Sequence, residues 1–318
     1  MSKPTLGFIG VGRMGGPMAS RLLAAGHAVT VFDTMPAAVQ ALVKKGAMPA
    51  ANPRDVANNT DIVFASVPTP DIVRKVALGE EGVAKGTRAR IFVDLSTTGP
   101  RVSAEVADAL AKSYRPVVLV DCPVSGGVAG AEKGALTLMV SGPREAVSEI
   151  EPLLKELGRI YPCGDKAGQA QMVKVANNLT SVVCMAISCE MLVLGARAGV
   201  DPKVMMEVIN ISSGRNGAMQ DKVPKHILSR TFDFGFSTAL SHKDARLCLD
   251  EAEALGVPLI MGNAARQVLT MTKAEFGPEA DFTNMIRLFE KWAGVEAKIA
   301  GDKSAPRKPQ TVSSEGDA

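Results

Sequence analysis

The sequence predicts an α/β domain with a mostly parallel, doubly wound sheet, followed by an all-α C-terminal domain. Over the first half of the chain, short apolar runs rich in Val and Ile alternate with amphipathic helical patterns. This alternation is typical of βαβ units with helices on both faces of the sheet. After about residue 166 the strand-like runs stop, and a proline-free helical stretch, Gly168–Arg197, begins. A length of 318 residues suits two domains of ordinary size.

The predicted elements follow the chain in order. Six short apolar strands are expected at Leu6–Ile9, Ala28–Phe32, Asp61–Val67, Arg90–Asp94, Val117–Asp121 and Leu136–Val140. The helices expected between them include Met14–Ala25, Ala37–Lys44 and Arg101–Ser113. The second half has helical patterns at Gly168–Arg197, Lys203–Ile211, Ala239–Leu255, Leu259–Ala274 and Phe282–Ala293. We therefore expect domains at residues 1–166 and 167–300, and a disordered polar tail, rich in Pro and Ser, at 301–318.

Composition and charge exclude several classes of protein. The net charge of +3, from 36 basic and 33 acidic side chains, is too balanced to steer a nucleic acid or an anionic membrane. Apolar runs such as Val117–Val120 and Ser181–Ile187 are shorter than the roughly 20 residues that span a bilayer. No secretion signal is recognisable, and the five cysteines and three histidines lack zinc-ligand spacing. A cytoplasmic protein without a metal site or a nucleic-acid or membrane partner is expected.

A glycine-rich turn follows the first predicted strand and opens a helix. It comprises Gly10, Val11, Gly12, Arg13, Met14 and Gly15. In this pattern the first glycine permits a tight turn, the second lets a pyrophosphate approach the backbone, and the third lets helix and strand pack closely. The free N–H groups at the start of the helix then face the phosphates. The turn therefore predicts a dinucleotide site.

The second predicted strand ends at Asp33, whose carboxylate is placed to accept hydrogen bonds from a ribose 2′-hydroxyl. The same carboxylate repels a 2′-phosphate, and no Arg or Lys directly follows it. NAD is therefore expected as the cofactor in preference to NADP. A helix N-cap role for Asp33 is the alternative, although it does not account for the whole combination.

Lys174 and Asn178 lie four residues apart and share one face of the long predicted helix. A lysine becomes a general base when desolvation or a neighbouring cation lowers its pKa. By pattern alone, however, such a pair is more typical of a solvated helix face. Ser125, Gly126 and Gly127 are, by pattern alone, most simply a turn.

Four blocks occur in order along the chain, at Gly7–Gly15, Asp121–Val140, Gly168–Asn178 and Gly235–Asp244. Together, from about Thr5 to Trp292, they resemble the β-hydroxyacid dehydrogenase family. That family includes 3-hydroxyisobutyrate dehydrogenase and tartronate semialdehyde reductase, and is related to 6-phosphogluconate dehydrogenase. The resemblance implies a Rossmann domain followed by a helical domain, and a homodimer or homotetramer.

The resemblance also implies roles for the substrate-side residues. Lys174 would be the catalytic lysine and Asn178 its partner at the substrate. Ser125, Gly126 and Gly127 would bind the substrate carboxylate through a hydroxyl and backbone N–H groups. This fits their chemistry, because consecutive amides in a glycine turn form an anion nest.

On the cofactor side, the resemblance implies contacts from Val67, Pro68 and Thr97, which follow predicted strands. Lys243 would reach the nicotinamide half of the dinucleotide. A surface ion pair of Lys243 with Asp244 or Glu251 is the alternative.

Two departures from the family pattern stand out. Where relatives often have Gly-x-Gly before the lysine, this chain has Gly168-Gln169-Ala170, from which we expect a longer helix with function retained. After the Gly214-Arg215 pair, Asn216 stands where 3-hydroxyisobutyrate enzymes commonly have a Trp nearby. If that loop lines the pocket, the site is expected to be wider or more polar.

The function implied is NAD-dependent oxidation of a β-hydroxy acid resembling 3-hydroxyisobutyrate to its semialdehyde, with Lys174 as general acid/base. A reductase of tartronate semialdehyde or another short aldehyde acid is the alternative within enzymes. From another class, a non-catalytic dinucleotide-binding interaction module is disfavoured because Lys174, Asn178 and Ser125 occur together. An imine reductase is disfavoured because such enzymes typically lack the lysine.

Overall fold

The computed structural model describes residues 3–299, so the predicted tail at 301–318 lies outside the described residues. One mixed sheet organises the first part of the chain. Its strands are β1 (Leu6–Ile9), β2 (Val29–Phe32), β3 (Met48–Pro49), β4 (Ile62–Ala65), β5 (Ile91–Asp94), β6 (Val118–Asp121), β7 (Val124–Ser125), β8 (Leu136–Ser141) and β9 (Gly158–Gly164).

The strand order identifies the topology. Strands run β3-β2-β1-β4-β5-β6, all parallel, and the sheet continues into β8, which is antiparallel to β6 and β7 and parallel to β9. This is the doubly wound order of a dinucleotide-binding Rossmann domain. The predicted fold class is confirmed. Because parallel strands end at the same edge, the turns after β1, β2, β4, β5 and β6 meet there.

Twelve α-helices occur among residues 3–299. They are α1 (Gly15–Ala24), α2 (Pro36–Val43), α3 (Pro53–Asn59), α4 (Pro70–Leu78), α5 (Pro100–Ala111), α6 (Gly127–Lys133), α7 (Arg144–Lys155), α8 (Gln169–Arg197), α9 (Pro202–Ile211), α10 (Thr238–Ala254), α11 (Ile260–Phe276) and α12 (Met285–Ala293). Proline stands in the first turn of α2 to α5 and of α9, where its missing N–H costs nothing.

The burial of the central strands explains why they are continuous apolar runs in the sequence. Phe8, Phe64 and Phe92 are fully buried, and each of β1, β4 and β5 is buried along its whole length. Successive side chains point to opposite faces, and both faces are covered, so alternation with polar residues is absent.

Three strands were not expected from the sequence. β3 and β7 have two residues each, too few for a periodic signal. β9 has seven residues but contains Pro162 and glycine at both ends, and within residues 3–299 its one strand partner is β8. Proline and glycine are tolerated there because an edge strand leaves one side of its backbone unpaired.

The second half is helical, as expected. The last strand ends at Gly164 and α8 begins at Gln169. The predicted helix Phe282–Ala293 is a 3₁₀ turn, Phe282–Asn284, leading into α12. A π-helical segment, Ala218–Ile227, was not expected.

The chain forms two compact units. One comprises the chain through Val183 together with Ser237–Thr270, and the other comprises Cys184–Phe236 and the chain from Met271 onward. Helix α8 contributes to both units. The domain boundaries drawn from the sequence, 1–166 and 167–300, stay a prediction.

Helix α8 is long and apolar enough to cross a membrane, with a mean hydropathy of 1.9 over its most apolar window. Length and composition alone therefore do not exclude a span here, contrary to the expectation from the sequence. Half of that window is buried within the structure, and the helix carries buried Gln171 and Lys174. Both features are typical of the core helix of a soluble protein.

Candidate active site

The glycine-rich turn has the geometry that each of its glycines predicts. Gly10 has a φ of +81°, in the left-handed region that favours glycine. A Cβ on Gly15 would lie 1.9 Å from the Gly10 carbonyl oxygen, so helix α1 packs closely on β1. A Cβ on Gly12 would meet no described atom within 4 Å. The turn therefore has no room for a side chain at Gly10 or Gly15, whereas the space beside Gly12 is open. Arg13 is exposed, and Met14 is the N-cap of α1.

Asp33 holds the glycine-rich turn. Its Oδ2 accepts a hydrogen bond from the Val11 N–H at 2.7 Å, and its Oδ1 accepts one from the Met35 N–H at 2.8 Å. The carboxylate thus fixes the turn after β1 against the turn after β2. Its side chain does not cap α2, whose N-cap is Met35 without a side-chain hydrogen bond. A carboxylate has about four acceptor positions, so two remain for a ligand.

The turns after β4 and β5 meet the glycine-rich turn. A Cβ on Gly10 would lie 2.9 Å from Val67 Cγ1, and the Val67 N–H donates to Ser96 Oγ at 3.0 Å. Pro68 is exposed beside Val67. Thr97 is the one residue of the segment 96–99 that is not buried. The structure therefore brings the predicted cofactor residues of β1, β2, β4 and β5 to one edge of the sheet.

The Ser125–Gly127 turn joins β7 to α6. Gly126 has a φ of +130° and Gly127 a φ of +63°, and both are exposed. A Cβ on Gly127 would meet open space. No hydrogen bond joins this turn to Lys174 or Asn178 in the described part of the chain.

Lys174 is a buried cation on α8, with 8% of the residue exposed. Burial lowers the pKa of its ammonium, Lys243 lowers it further, and Asp244 raises it. No residue of the range 3–299 accepts a hydrogen bond from the Lys174 ammonium. A desolvated lysine with a free nitrogen is suited to taking up and releasing a proton.

Asp244 on α10 joins two of the predicted site residues. Its Oδ2 accepts a hydrogen bond from Asn178 Nδ2 at 2.6 Å, and its Oδ1 lies 3.0 Å from Lys243 Nζ. The second contact is an ion pair without hydrogen-bond geometry. Lys243 Nζ also donates to the Thr97 carbonyl oxygen at 2.9 Å. Lys243, Asn178 and Thr97 are therefore connected through one carboxylate and one ammonium.

The ion pair expected as the alternative role for Lys243 exists, but it is not at the surface. The side chains of Lys243 and Asp244 are 14% and 5% exposed. Glu251 pairs instead with Arg101. Asp244 itself was not among the predicted site residues. Its place at the end of the Gly235–Asp244 block, next to Lys243, was the sequence signal for it.

Two buried carboxylates lie below the site at the ends of neighbouring strands. Asp94 and Asp121 are register partners at the carboxyl ends of β5 and β6. Burial raises the pKa of Asp94 to about 6, against the hydrogen bonds from Thr98 and Ser96 that lower it. Burial also raises the pKa of Asp121. Both carboxylates accept hydrogen bonds from groups of the protein itself, so we assign them a structural role beneath the site.

Comparison with known proteins agrees with this geometry. Residues 5–176 match the model for the NAD-binding domain of 6-phosphogluconate dehydrogenase, and residues 168–289 match the model for the NAD-binding domain of NADP-dependent 3-hydroxyisobutyrate dehydrogenase. The chain is 40% identical to 2-(hydroxymethyl)glutarate dehydrogenase of Eubacterium barkeri, covering 91% of this chain and 96% of that one. The chain belongs to the β-hydroxyacid dehydrogenase family. The predicted family and its NAD(P)-binding domain are confirmed.

Two further comparisons show the range of this family. The chain is 34% identical to 3-sulfolactaldehyde reductase of Escherichia coli, over 92% of this chain and 98% of that one. The solved structure of Mycobacterium tuberculosis 3-hydroxyisobutyrate dehydrogenase with L-serine superposes with a TM-score of 0.81 at 31% identity, covering 90% and 99% of the two chains. Dehydrogenases of hydroxy acids and a reductase of an aldehyde are therefore both similar to this chain.

The two departures from the family pattern have structural outcomes. Ala170 is buried in the first turn of α8, which runs without a break to Arg197. Asn216 is used locally: its Oδ1 accepts from the N–H groups of Ala218 and Met219, and so caps the π-helical segment. Whether that loop shapes the pocket stays a prediction.

Proposed function

We propose that this chain oxidises a β-hydroxy acid to its semialdehyde with NAD, using Lys174 as general acid/base. One observation carries the proposal. A buried lysine with a lowered pKa and a free ammonium shares a helix face with Asn178, which Asp244 links to Lys243 and so to the Thr97 carbonyl. The Asn178 that shares a helix face with the proton-transferring lysine is thus connected to the dinucleotide edge, and the charges of Asp244 and Lys243 act on that lysine.

The dinucleotide residues fit the group that they are proposed to hold. The space above Gly12 is open, and the first backbone N–H groups of α1 have no acidic side chain in the first turn to compete for them. Gly10, Val11, Gly12, Arg13, Met14 and Gly15 would surround the pyrophosphate. Val67, Pro68, Thr97 and Lys243 would line the rest of the dinucleotide. The dinucleotide held there would supply the hydride acceptor.

NAD in preference to NADP follows from Asp33. With Val11 and Met35 held by its two oxygens, the carboxylate keeps a fixed position at the end of β2. A fixed negative charge there accepts from ribose hydroxyls and repels a phosphate at the 2′ position. The preference is tested by comparing kcat/KM with the two cofactors.

Lys174 performs the proton transfer in this scheme. In the neutral form, its Nζ takes the proton of the substrate hydroxyl as the C–H bond gives up its hydride. In the reverse direction, the ammonium returns that proton to the carbonyl oxygen. Burial lowers the pKa of Lys174 and so favours the neutral form that takes up a proton, while Asp244 opposes this shift. Asn178, held by Asp244, would orient the hydroxyl.

The substrate carboxylate is assigned to Ser125, Gly126 and Gly127. Among residues 3–299 the Ser125 hydroxyl has no hydrogen-bond partner, so it is free to donate. The exposed amides of Gly126 and Gly127 add backbone donors. The substrates named for the relatives support the class, because 2-(hydroxymethyl)glutarate and 3-hydroxyisobutyrate both carry a primary hydroxyl on the carbon next to the α-carbon.

The alternative direction is reduction of a short aldehyde acid, such as tartronate semialdehyde. The similarity to a 3-sulfolactaldehyde reductase favours it specifically, and Lys174 serves either direction. A non-catalytic binding module is disfavoured because it would not need a desolvated lysine.

We also propose a homodimer or homotetramer in the cytoplasm. Two helices of the second unit expose apolar side chains at helical spacing. These are Ile187 and Leu194 on α8, and Val204, Val208 and Ile211 on α9. Exposed apolar rows of this kind are typical of subunit interfaces. Sedimentation equilibrium of the purified chain tests the subunit count.

One assay tests the proposed reaction. NAD reduction with three- to six-carbon β-hydroxy acids is compared with NADH oxidation by the corresponding aldehyde acids, using NAD(H) and NADP(H) in parallel. Turnover of a β-hydroxy acid with NAD supports the proposal. Turnover only of aldehydes supports the reductase. No turnover in either direction, with the cofactor bound, supports the binding module.

A further inference from the structure

Gln171 is a fully buried amide on α8, one helical turn before Lys174. Its Oε1 accepts hydrogen bonds from the Thr98 N–H at 2.9 Å and the Gly99 N–H at 3.3 Å. Its Nε2 donates to the Ser96 carbonyl oxygen at 3.0 Å. One side chain therefore satisfies three backbone groups of the segment 96–99, which we call the β5 loop.

The β5 loop joins the two halves of the proposed dinucleotide edge. The Ser96 hydroxyl accepts from the Val67 N–H of the turn after β4. On the other side, the Thr97 carbonyl accepts from Lys243 Nζ. Thr97 is the partly exposed residue between two residues that Gln171 binds. The direction of the Thr97 carbonyl is therefore set by the bonds on either side of it.

Both ends of this arrangement are anchored to the sheet. Asp94 accepts from the Ser96 N–H at 2.9 Å and from the Thr98 hydroxyl. Asp121 accepts from the Gly168 N–H, immediately before α8. With α8 and the β5 loop each tied to a strand end, Gln171 is the direct side-chain bridge between them.

The buried amide of Gln171 is engaged in specific hydrogen bonds. An amide placed in a core without partners costs about 1–3 kcal/mol for each unsatisfied group, so an apolar residue would be favoured if only packing mattered. Gln171 has its donor and acceptor both engaged, with three bonds to the loop that carries Thr97 and a further side-chain hydrogen bond to Asp121 at the end of β6. The bonds are specific to one loop conformation.

We propose that Gln171 is a positioning residue that sets the location of Lys243 at the dinucleotide site, acting through the β5 loop and the Thr97 carbonyl. The inference rests on the proposed contact of Lys243 with the cofactor. It does not depend on the identity of the hydroxy acid.

The test is a double-mutant cycle on NADH affinity, measured by fluorescence titration without any hydroxy acid. Gln171→Met keeps the side-chain length and removes the three bonds to the β5 loop together with the bond to Asp121. We expect it to raise the Kd for NADH about tenfold in the natural background, within the range of couplings between contacting residues. In the Lys243→Ala background we expect less than about a twofold further change, because the group that Gln171 positions is gone.

Gln169→Met is the matched control, since it removes an exposed glutamine from the same helix. Among residues 3–299, the Oε1 of Gln169 accepts a hydrogen bond from the Lys166 N–H and from no group of the β5 loop. This substitution is expected to leave the Kd unchanged. Gln171→Asn, whose shorter side chain withdraws the amide from the β5 loop, replaces Gln171→Met in the cycle if thermal unfolding shows that Gln171→Met does not fold.

The result has distinct outcomes. Equal effects of the Gln171 substitution in both backgrounds would overturn the inference, as would an unchanged Kd in either single variant. If the natural chain turns over no hydroxy acid but the cycle is non-additive, the proposed reaction is overturned and the positioning role stands.

Discussion

Asp244 accepts a 2.6 Å hydrogen bond from Asn178, and its other oxygen lies 3.0 Å from the Lys243 ammonium. A carboxylate that is almost fully buried thus serves an amide on α8 and a cation on its own helix. The negative charge of Asp244 also raises the pKa of Lys174, and so opposes the burial that lowers this pKa. Asp244 therefore fixes the orientation of Asn178 and opposes the effect of burial on the pKa of Lys174.

Asp244→Asn is expected to shift the pH dependence of oxidation. Removing the negative charge removes the influence that raises the pKa of Lys174, so the neutral lysine persists to lower pH. The rising limb of kcat against pH should move to lower pH. Asp250→Asn changes an exposed carboxylate on the same helix and should leave the profile in place. A profile that moves to higher pH, or not at all, would contradict this role for Asp244.

Lys174→Ala is expected to lower turnover by at least about 100-fold, the usual loss when a general acid/base is removed. NADH affinity should change little, because the dinucleotide residues keep their contacts. Steady-state rates and a fluorescence titration measure the two quantities. Lys155→Ala, at an exposed lysine on α7, is the control. Near-natural turnover with bound cofactor would rule out Lys174 as the acid/base.

Two alanine substitutions in the glycine-rich turn should affect different properties, one the cofactor affinity and the other the stability of the fold. Gly12→Ala adds a Cβ that meets no described atom, so the melting temperature should stay within a few degrees while NADH affinity falls at least about tenfold. Gly15→Ala drives a Cβ into the Gly10 carbonyl and should lower the melting temperature. Thermal unfolding and NADH titration separate the two. Equal loss of stability in both variants would contradict the open cradle at Gly12.

Asp94→Asn is expected to change how stability depends on pH. The pKa of Asp94 is raised to about 6 in the folded chain, from 3.8, so the folded state holds the proton more tightly. The stability that Asp94 contributes is full below about pH 4 and is lost as the pH rises through about 6. The free energy of unfolding of the variant relative to the natural chain should therefore increase between about pH 4 and 6, by ~3 kcal/mol at most, and then level off.

Denaturant unfolding across that pH range measures this difference. Asp108→Asn, at an exposed carboxylate on α5, is the control and should give a flat difference. A difference that decreases with rising pH would mean that Asp94 is ionised more readily in the folded state than in the unfolded chain.

Local patterns were sufficient where contacts are local in sequence. The turn after β1 required glycine at three defined positions, and its spacing was visible without any knowledge of neighbours. Likewise Lys174 and Asn178 lie on one helix face because of the helical period alone. β9, by contrast, carries Pro162 and glycines, and its strand conformation depends on pairing with β8.

By itself, the sequence determined the doubly wound sheet, the change to helices near residue 166, the glycine-rich turn and the lysine–asparagine pair, because periodicity and turn chemistry are encoded in neighbouring residues. Tertiary structure decided what surrounds that pair. Asp244 lies 66 residues from Asn178, and Gln171 lies more than 70 residues from the loop it holds. Only folding reveals that these groups are buried together, and burial is what lowers the pKa of Lys174 and turns an ordinary helix face into a candidate acid/base.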